Sequence, residues 1–256
     1  MKRSKMNQTR IVSTLILANA LAFSGNSSAD FVGLNIGASY WSPDIIGSFN
    51  SGNNASIDLV DDLGLDDNHS QTSMVLILEH PIPLLPNIKY QSFDLDSSGS
   101  KIIDSDLNFN GQTFSSGNLL RSTFDVSHED IVLYYELLDN WVNLDFGVDL
   151  KKFDGEVGLS GNTTTRIAVD EVIPLLYVSA RFDLPFTGFY IGADINSFSI
   201  GDSSVEDSTI KLGYESGSGL GFEGGLKKFS LELDDVDNLD TNLEYDGLYL
   251  NGYFHF

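Results

Sequence analysis

Residues 141–153 read WVNLDFGVDLKKF, and their parity decides how the chain is read. Val142, Leu144, Phe146, Val148 and Leu150 fall on one face, while Asn143, Asp145, Gly147, Asp149 and Lys151 fall on the other. Period-two alternation marks a strand whose two faces meet different environments. A soluble sandwich turns the apolar face inward, and a membrane barrel turns it outward around a polar lumen. This stretch alone fits both.

The same pattern recurs at both flanks of the chain. Val32, Leu34, Ile36, Ala38 and Tyr40 alternate with Gly33, Asn35, Gly37 and Ser39, and Leu248, Leu250, Phe254 and Phe256 alternate with Tyr249, Asn251, Tyr253 and His255. Further strands are expected near 72–80, 87–97, 122–138, 165–182, 188–200, 205–215 and 219–233, ten in all. The alternation slips near Ser92 and at Lys227-Lys228, where β-bulges are expected. Connections at Pro81–Pro86, Asp139-Asn140, Leu184–Gly188 and Glu215–Gly219 are short, whereas 42–71, 98–121, 154–164 and 234–240 are longer or richer in Asp, Asn, Ser and Gly. Short turns alternating with long loops is the wiring of outer-membrane barrels. The predicted fold is therefore all-β, a closed antiparallel transmembrane β-barrel of about ten strands.

Lys2, Arg3, Lys5 and Arg10 precede an apolar run from Ile11 to Phe23, and Ser27-Ser28-Ala29 supplies a small-residue cleavage pattern. Residues 1–29 therefore read as a secretory signal peptide and residues 30–256 as the barrel. The run is shorter than the roughly 20 residues of a spanning helix. No later run reaches 18 apolar residues, so a membrane location requires a closed barrel.

Of the 14 Lys+Arg and 37 Asp+Glu, the signal segment removes four basic residues, leaving 10 − 37 = −27. Nucleic acid is an unfavourable partner for that charge. The chain has no cysteine, which excludes disulfides, thiolate metal sites, a Cys nucleophile and a lipid-modified Cys anchor. No cofactor motif occurs: a phosphate-binding Gly-rich loop and HExxH are both missing.

The closing residues Gly247–Phe256 resemble the C-terminal strand signature of outer-membrane proteins, with Leu248, Leu250, Phe254 and Phe256 at the alternate positions and Gly252 departing from the preferred large residue. That resemblance implies recognition by the barrel-assembly machinery. Tyr134–Asn140, Leu144–Gly147 and Asp58–Leu65 are similar to an uncharacterised family of small Gram-negative outer-membrane β-barrel proteins, which implies a fold and a cell outer-membrane location, with lipid as neighbour, but no activity.

Parity assigns Glu79, Lys89, Glu136, Asp145, Asp149, Lys151, Arg181, Asp194, Lys211 and Glu223 to the lumen. In a narrow barrel such charges form an interior ion-pair network or line a small passage. Asp145 and Asp149 are about 13 Å apart along the strand, too far to flank one bond. His128-Glu129-Asp130 sets a His beside two acids and is weak ground for catalysis, so no enzyme activity is expected. Asp58, Asp61, Asp62, Asp66 and Asp67 crowd the first long loop, and Asp234, Asp235, Asp237 and Asp240 the last. They are candidates for divalent cations, although neither cluster has EF-hand spacing. Ile57, Val60 and Leu63 fit a short helix on the barrel rim or in its mouth, with the rim preferred. The functional expectation is a structural or small-solute barrel, porin-like, with a narrow cation-preferring pore as one form. The alternative is a surface barrel that binds partners through its acidic loops, and a barrel hydrolase stands last.

Overall fold

The structure, a computed structural model, describes residues 32–52, 54–66, 70–236 and 239–256. The expected signal segment, Asp67 and Asp237 lie outside them. In chain order the strands are β1 (Gly33–Ser51), β2 (Ile57–Asp58), β3 (Gln71–Glu79), β4 (Asn87–Phe93), β5 (Asp96–Ile102), β6 (Leu107–Phe109), β7 (Gln112–Phe114), β8 (Leu119–Asp125) and β9 (His128–Leu138). They continue with β10 (Val142–Phe153), β11 (Gly155–Ser160), β12 (Thr164–Val169), β13 (Val172–Asp183), β14 (Phe189–Ile200), β15 (Ser203–Glu215), β16 (Leu220–Val236) and β17 (Leu239–His255).

Ten of these, β1, β3, β4, β9, β10 and β13–β17, form one antiparallel sheet in that order, which closes where β1 pairs with β17 from Asn35↔His255 to Ser51↔Leu239. Closure satisfies every edge, which a membrane barrel requires. The short turns after β3, β9, β13 and β15 share one end with Phe256, whose amide donates to Leu34 O at 2.8 Å. The insertions sit at the other end, the loop end.

Those insertions are not irregular. Segment 98–121, expected as a loop, carries most of β5 to β8, and the expected strand 122–138 breaks at Val126-Ser127 into β8 and β9. The expected strand 165–182 likewise divides into β12 and β13. The strands β12-β11-β8-β5 form a second antiparallel sheet, and β6 and β7 a hairpin. β1 runs on to Ser51 rather than stopping near Tyr40, because β17 pairs with it along that whole length.

Ladders run without a shift at Ser92 and at Lys227-Lys228, so neither is a bulge. The irregularities fall between Leu144 and Asp145, opposite Leu138 and Glu136, and between Leu233 and Val236. What slips at Lys227-Lys228 is the environment. Below it on β16, Phe222 and Leu226 are exposed on the outer face, while above it Phe229 and Leu231 are buried on the inner face. β17 does the same, with Leu250 and Leu248 outside, then Tyr245 and Leu243 inside. β4 switches from outward Ile88 to inward Phe93, and β15 from outward Ile210 to inward Val205. Each strand therefore leaves a zone that is apolar outside and enters one that is apolar inside.

The inner apolar zone is the core. Trp41, Ile45 and Phe49 of β1 join Phe109 and Phe114 of the hairpin, Leu120 and Phe124 of β8, and Val157 and Leu159 of β11 in one cluster. Phe49 meets Phe109 edge-on at 5.4 Å. Ile57, Leu59, Leu63 and Leu65 also belong to this cluster, so the segment packs into the mouth rather than on the preferred rim, and it does so as β2 and a turn rather than as a helix. Asp58 explains the geometry: its carboxylate accepts from the amides of Val60 and Asp61, and its carbonyl from Asp62 and Leu63, folding the chain back so that Leu59 and Leu63 both point inward. Asp62 accepts in turn from the Asp58 amide. Part of the first acidic cluster thus does structural capping.

Candidate functional site

Below the core, the lumen is arranged in layers. The uppermost is aromatic: Trp41 (β1), Phe93 (β4), His128 (β9), Phe153 (β10), Phe229 (β16) and Tyr245 (β17) touch in sequence across the barrel, with ring centroids 5.1–6.4 Å apart. Six of ten strands contribute a ring, and rings from opposite walls, His128 of β9 and Phe229 of β16, meet across the lumen.

Beneath it lies a buried charged layer. Lys151 is 0% exposed and its ammonium donates to both oxygens of Asp130, at 2.7 and 2.8 Å, and to Asp207 at 3.4 Å. Lys227 donates to the other Asp207 oxygen. Both ammonium groups stand over ring faces, Lys151 at 5.6 Å from Phe229 and Lys227 at 4.7 Å from Phe93, so cation–π attraction ties this layer to the aromatic one. Asp149 is fully buried and neither carboxylate oxygen has a hydrogen-bond partner, with the Lys151 ammonium 4.0 Å away.

His128, Asp130 and Asp207 bring their ligand atoms within 4.8 Å of one another, yet two ammonium groups already occupy the carboxylates, and a dication would face both. Catalysis at His128-Glu129-Asp130 is also poorly served. His128 Nδ1 donates to Val126 O at 3.0 Å, since a carbonyl can only accept, and the ring is wedged among Phe93, Phe153 and Phe229. Glu129 points to the opposite face, where it accepts from Tyr90 OH.

The turn-end half of the lumen is a polar vestibule of about 320 Å³. The structure places eight of the ten parity-assigned charges on its wall, namely Glu79, Lys89, Glu136, Asp145, Arg181, Asp194, Lys211 and Glu223, while Asp149 and Lys151 lie sealed beyond it. On the β13–β17 side the charges are paired. Lys211 bridges Asp194 at 2.9 Å and Glu223 at 3.3 Å, Arg181 joins Asp183 at 2.9 Å and Glu215 at 3.5 Å, and Tyr190 OH donates to Glu223 at 2.7 Å. Opposite them Glu79 accepts from Tyr134 OH at 2.8 Å. Register sets Asp145 directly across from Glu136, a like-charge cross-strand pair of the kind that costs stability.

Parity alone missed Asp130, Asp207 and Lys227. Asp130 shares the parity of Glu136, and Asp207 that of Lys211, so both were within reach of the alternation argument. Lys227 was displaced by reading a bulge where the environment inverts. The C-terminal residues Leu248, Leu250 and Phe254 lie exposed on the outer face, and the Phe254 and Phe256 rings pack at 4.6 Å.

No family model and no curated protein matches this chain. Among solved structures it is similar to the transport unit of the autotransporter AIDA-I from Escherichia coli, at 7% identity over 99% of this chain and 98% of that one, with a TM-score of 0.40. It is also similar to the outer membrane protease OmpT from Escherichia coli, at 11% identity over 91% and 99%, with a TM-score of 0.41. A Pseudomonas aeruginosa FadL homologue aligns at 8% identity over 88% and 90%, with a TM-score of 0.36.

Proposed function

We propose that this protein is an integral outer-membrane barrel, sealed along its axis, that holds a rigid β-structured cap at the cell surface as a binding scaffold. The observation that carries this reading is the inversion of the apolar face. One zone of the barrel has apolar side chains outside, suited to lipid, and the zone above it has them inside under a packed cap. Bacterial barrels keep their short turns in the periplasm, which puts the cap outside the cell and the vestibule toward the periplasm. Outer-membrane lipid and the assembly machinery that reads the terminal aromatic strand are the partners this reading implies, and the acidic residues of the cap loops are where divalent cations would be sought.

Cell fractionation with heat-modifiable migration tests the location; recovery of folded protein in the soluble periplasm overturns it. Orientation is tested by an epitope inserted at Gly111, in the β6–β7 turn, where a side chain would meet nothing within 4 Å. The epitope should be detected on intact cells, and detection only after permeabilisation reverses the assignment.

A second reading, a narrow cation-preferring passage, draws on the vestibule wall, where nine carboxylates face four Lys or Arg, 4 − 9 = −5. It requires the aromatic layer to part.

A further inference from the structure

The vestibule holds charges of both signs that have no direct partner among the described residues. Lys89 has no carboxylate within 4.0 Å and no hydrogen bond among the described residues; its ammonium only stands 5.6 Å over the Tyr177 ring. Asp145 and Glu136 likewise have no hydrogen bond and no cation within 4.0 Å among the described residues, although they face each other across β9 and β10. Every other Lys or Arg on the wall is ion-paired. A third group is independent of these. Asn196, 9% exposed and on the same wall, has a side-chain carbonyl with no hydrogen-bond partner.

Register orders them along the axis. Asn196 pairs with Tyr177, and Tyr177 with Gly147. Gly147 lies two residues inward of Asp145 on β10, roughly 7 Å at the rise of a strand. From the mouth inward the wall therefore presents two carboxylates, then the level of the Asn196 carbonyl acceptor and the Lys89 ammonium over Tyr177.

We propose that the vestibule binds a small zwitterion the size of a dipeptide, its ammonium on Asp145 and Glu136, its carboxylate on Lys89, and an N–H or O–H donor between them on Asn196. A cation alone would give Lys89 no direct partner, and an anion alone would give none to the acidic pair. Unmatched charges on a confined wall are costly, and a solute carrying both signs relieves both. The outer-membrane reading decides only which compartment supplies this solute; the site itself does not depend on it.

Isothermal titration calorimetry on the full-length barrel, refolded in uncharged detergent, tests this with glycylglycine as probe and ethylamine and propionate as single-charge controls. Glycylglycine should bind saturably and more tightly than either control. Lys89→Gln and Asp145→Asn should each weaken it by at least about tenfold, the loss of one charge-assisted hydrogen bond, and Asn196→Leu should weaken it as well. Heat-modifiable migration of each variant verifies assembly, and Glu136→Gln, at the open mouth, replaces Asp145→Asn if that variant does not fold. No saturable binding of glycylglycine to the assembled wild type overturns the proposal. So does undiminished binding in Lys89→Gln, or ethylamine binding as tightly as glycylglycine, which would leave an acidic patch only.

Discussion

Lys151 shows how a single residue ties the walls of the lumen together. Its ammonium meets Asp130, Asp207 and, at 4.0 Å, Asp149, all buried. Replacing it with Met keeps the volume and removes the charge, leaving three carboxylates with one remaining ammonium, that of Lys227. Breaking a buried pair from one side costs about 3–5 kcal/mol, so Lys151→Met should lower the urea midpoint of the refolded barrel accordingly. Restoring balance with Asp130→Asn in the same chain should recover part of that loss, and a single mutant as stable as wild type would show that the layer contributes no net stability. Phe146, exposed on the outer face, gives a different test. If it lies near the bilayer midplane, Phe146→Arg should cost about 2–4 kcal/mol in lipid, and Arg at inward Asn143 on the vestibule wall markedly less. Equal costs would mean that the apolar outer band does not face lipid.

At the scale of elements, the strands were legible wherever one face stayed apolar over their length, as in 141–153. The boundaries went astray for two physical reasons. Alternation reports which face is apolar and not which side that face is on, so an inversion of environment at Ser92 or Lys227-Lys228 looks like a register slip. Short strands at the loop end, such as β5 and β11, are rich in Ser and Gly and resemble loops; what makes them sheet is their pairing on either side of β8. The helical spacing of Ile57, Val60 and Leu63 does not extend into a helix because the turn capped by Asp58 ends at Gly64, whose φ is +65°. Strand packing also hides in glycines. Tyr190 of β14 lies across Gly213 of β15, where an added Cβ would stand 2.1 Å from the ring, and the same tyrosine donates to Glu223 and contacts Tyr253 OH. Gly213→Val should therefore displace that ring, break the network and destabilise the barrel by about 1–3 kcal/mol, the usual range for overpacking. Gly217→Ala, in a turn where nothing lies within 4 Å, should leave thermal unfolding unchanged; similar shifts for both would remove the steric explanation.

For the whole molecule, the decisive property is the proposed seal, and the last prediction concerns conduction. Sequence parity supplied the charged wall but gave no view of the aromatic layer, because Trp41, Phe93, Phe153, Phe229 and Tyr245 come from five strands that only closure brings together. With that layer in place and the cap core above it, refolded wild type in a planar bilayer should show no steady current. Replacing Phe153 and Phe229 with Ser lets water into the layer and loosens the packing that Lys151 and His128 share with it, so brief openings should appear. Those openings should favour cations, since the vestibule wall carries the −5 excess and carboxylate-rich walls select cations. Asp145→Asn in this background should reduce the preference. Asp149→Asn should change it less, because Asp149 sits outside the vestibule among the sealed charges. Steady current through wild type would refute the seal, and anion-selective openings in the double variant would refute the charge argument while leaving the seal standing.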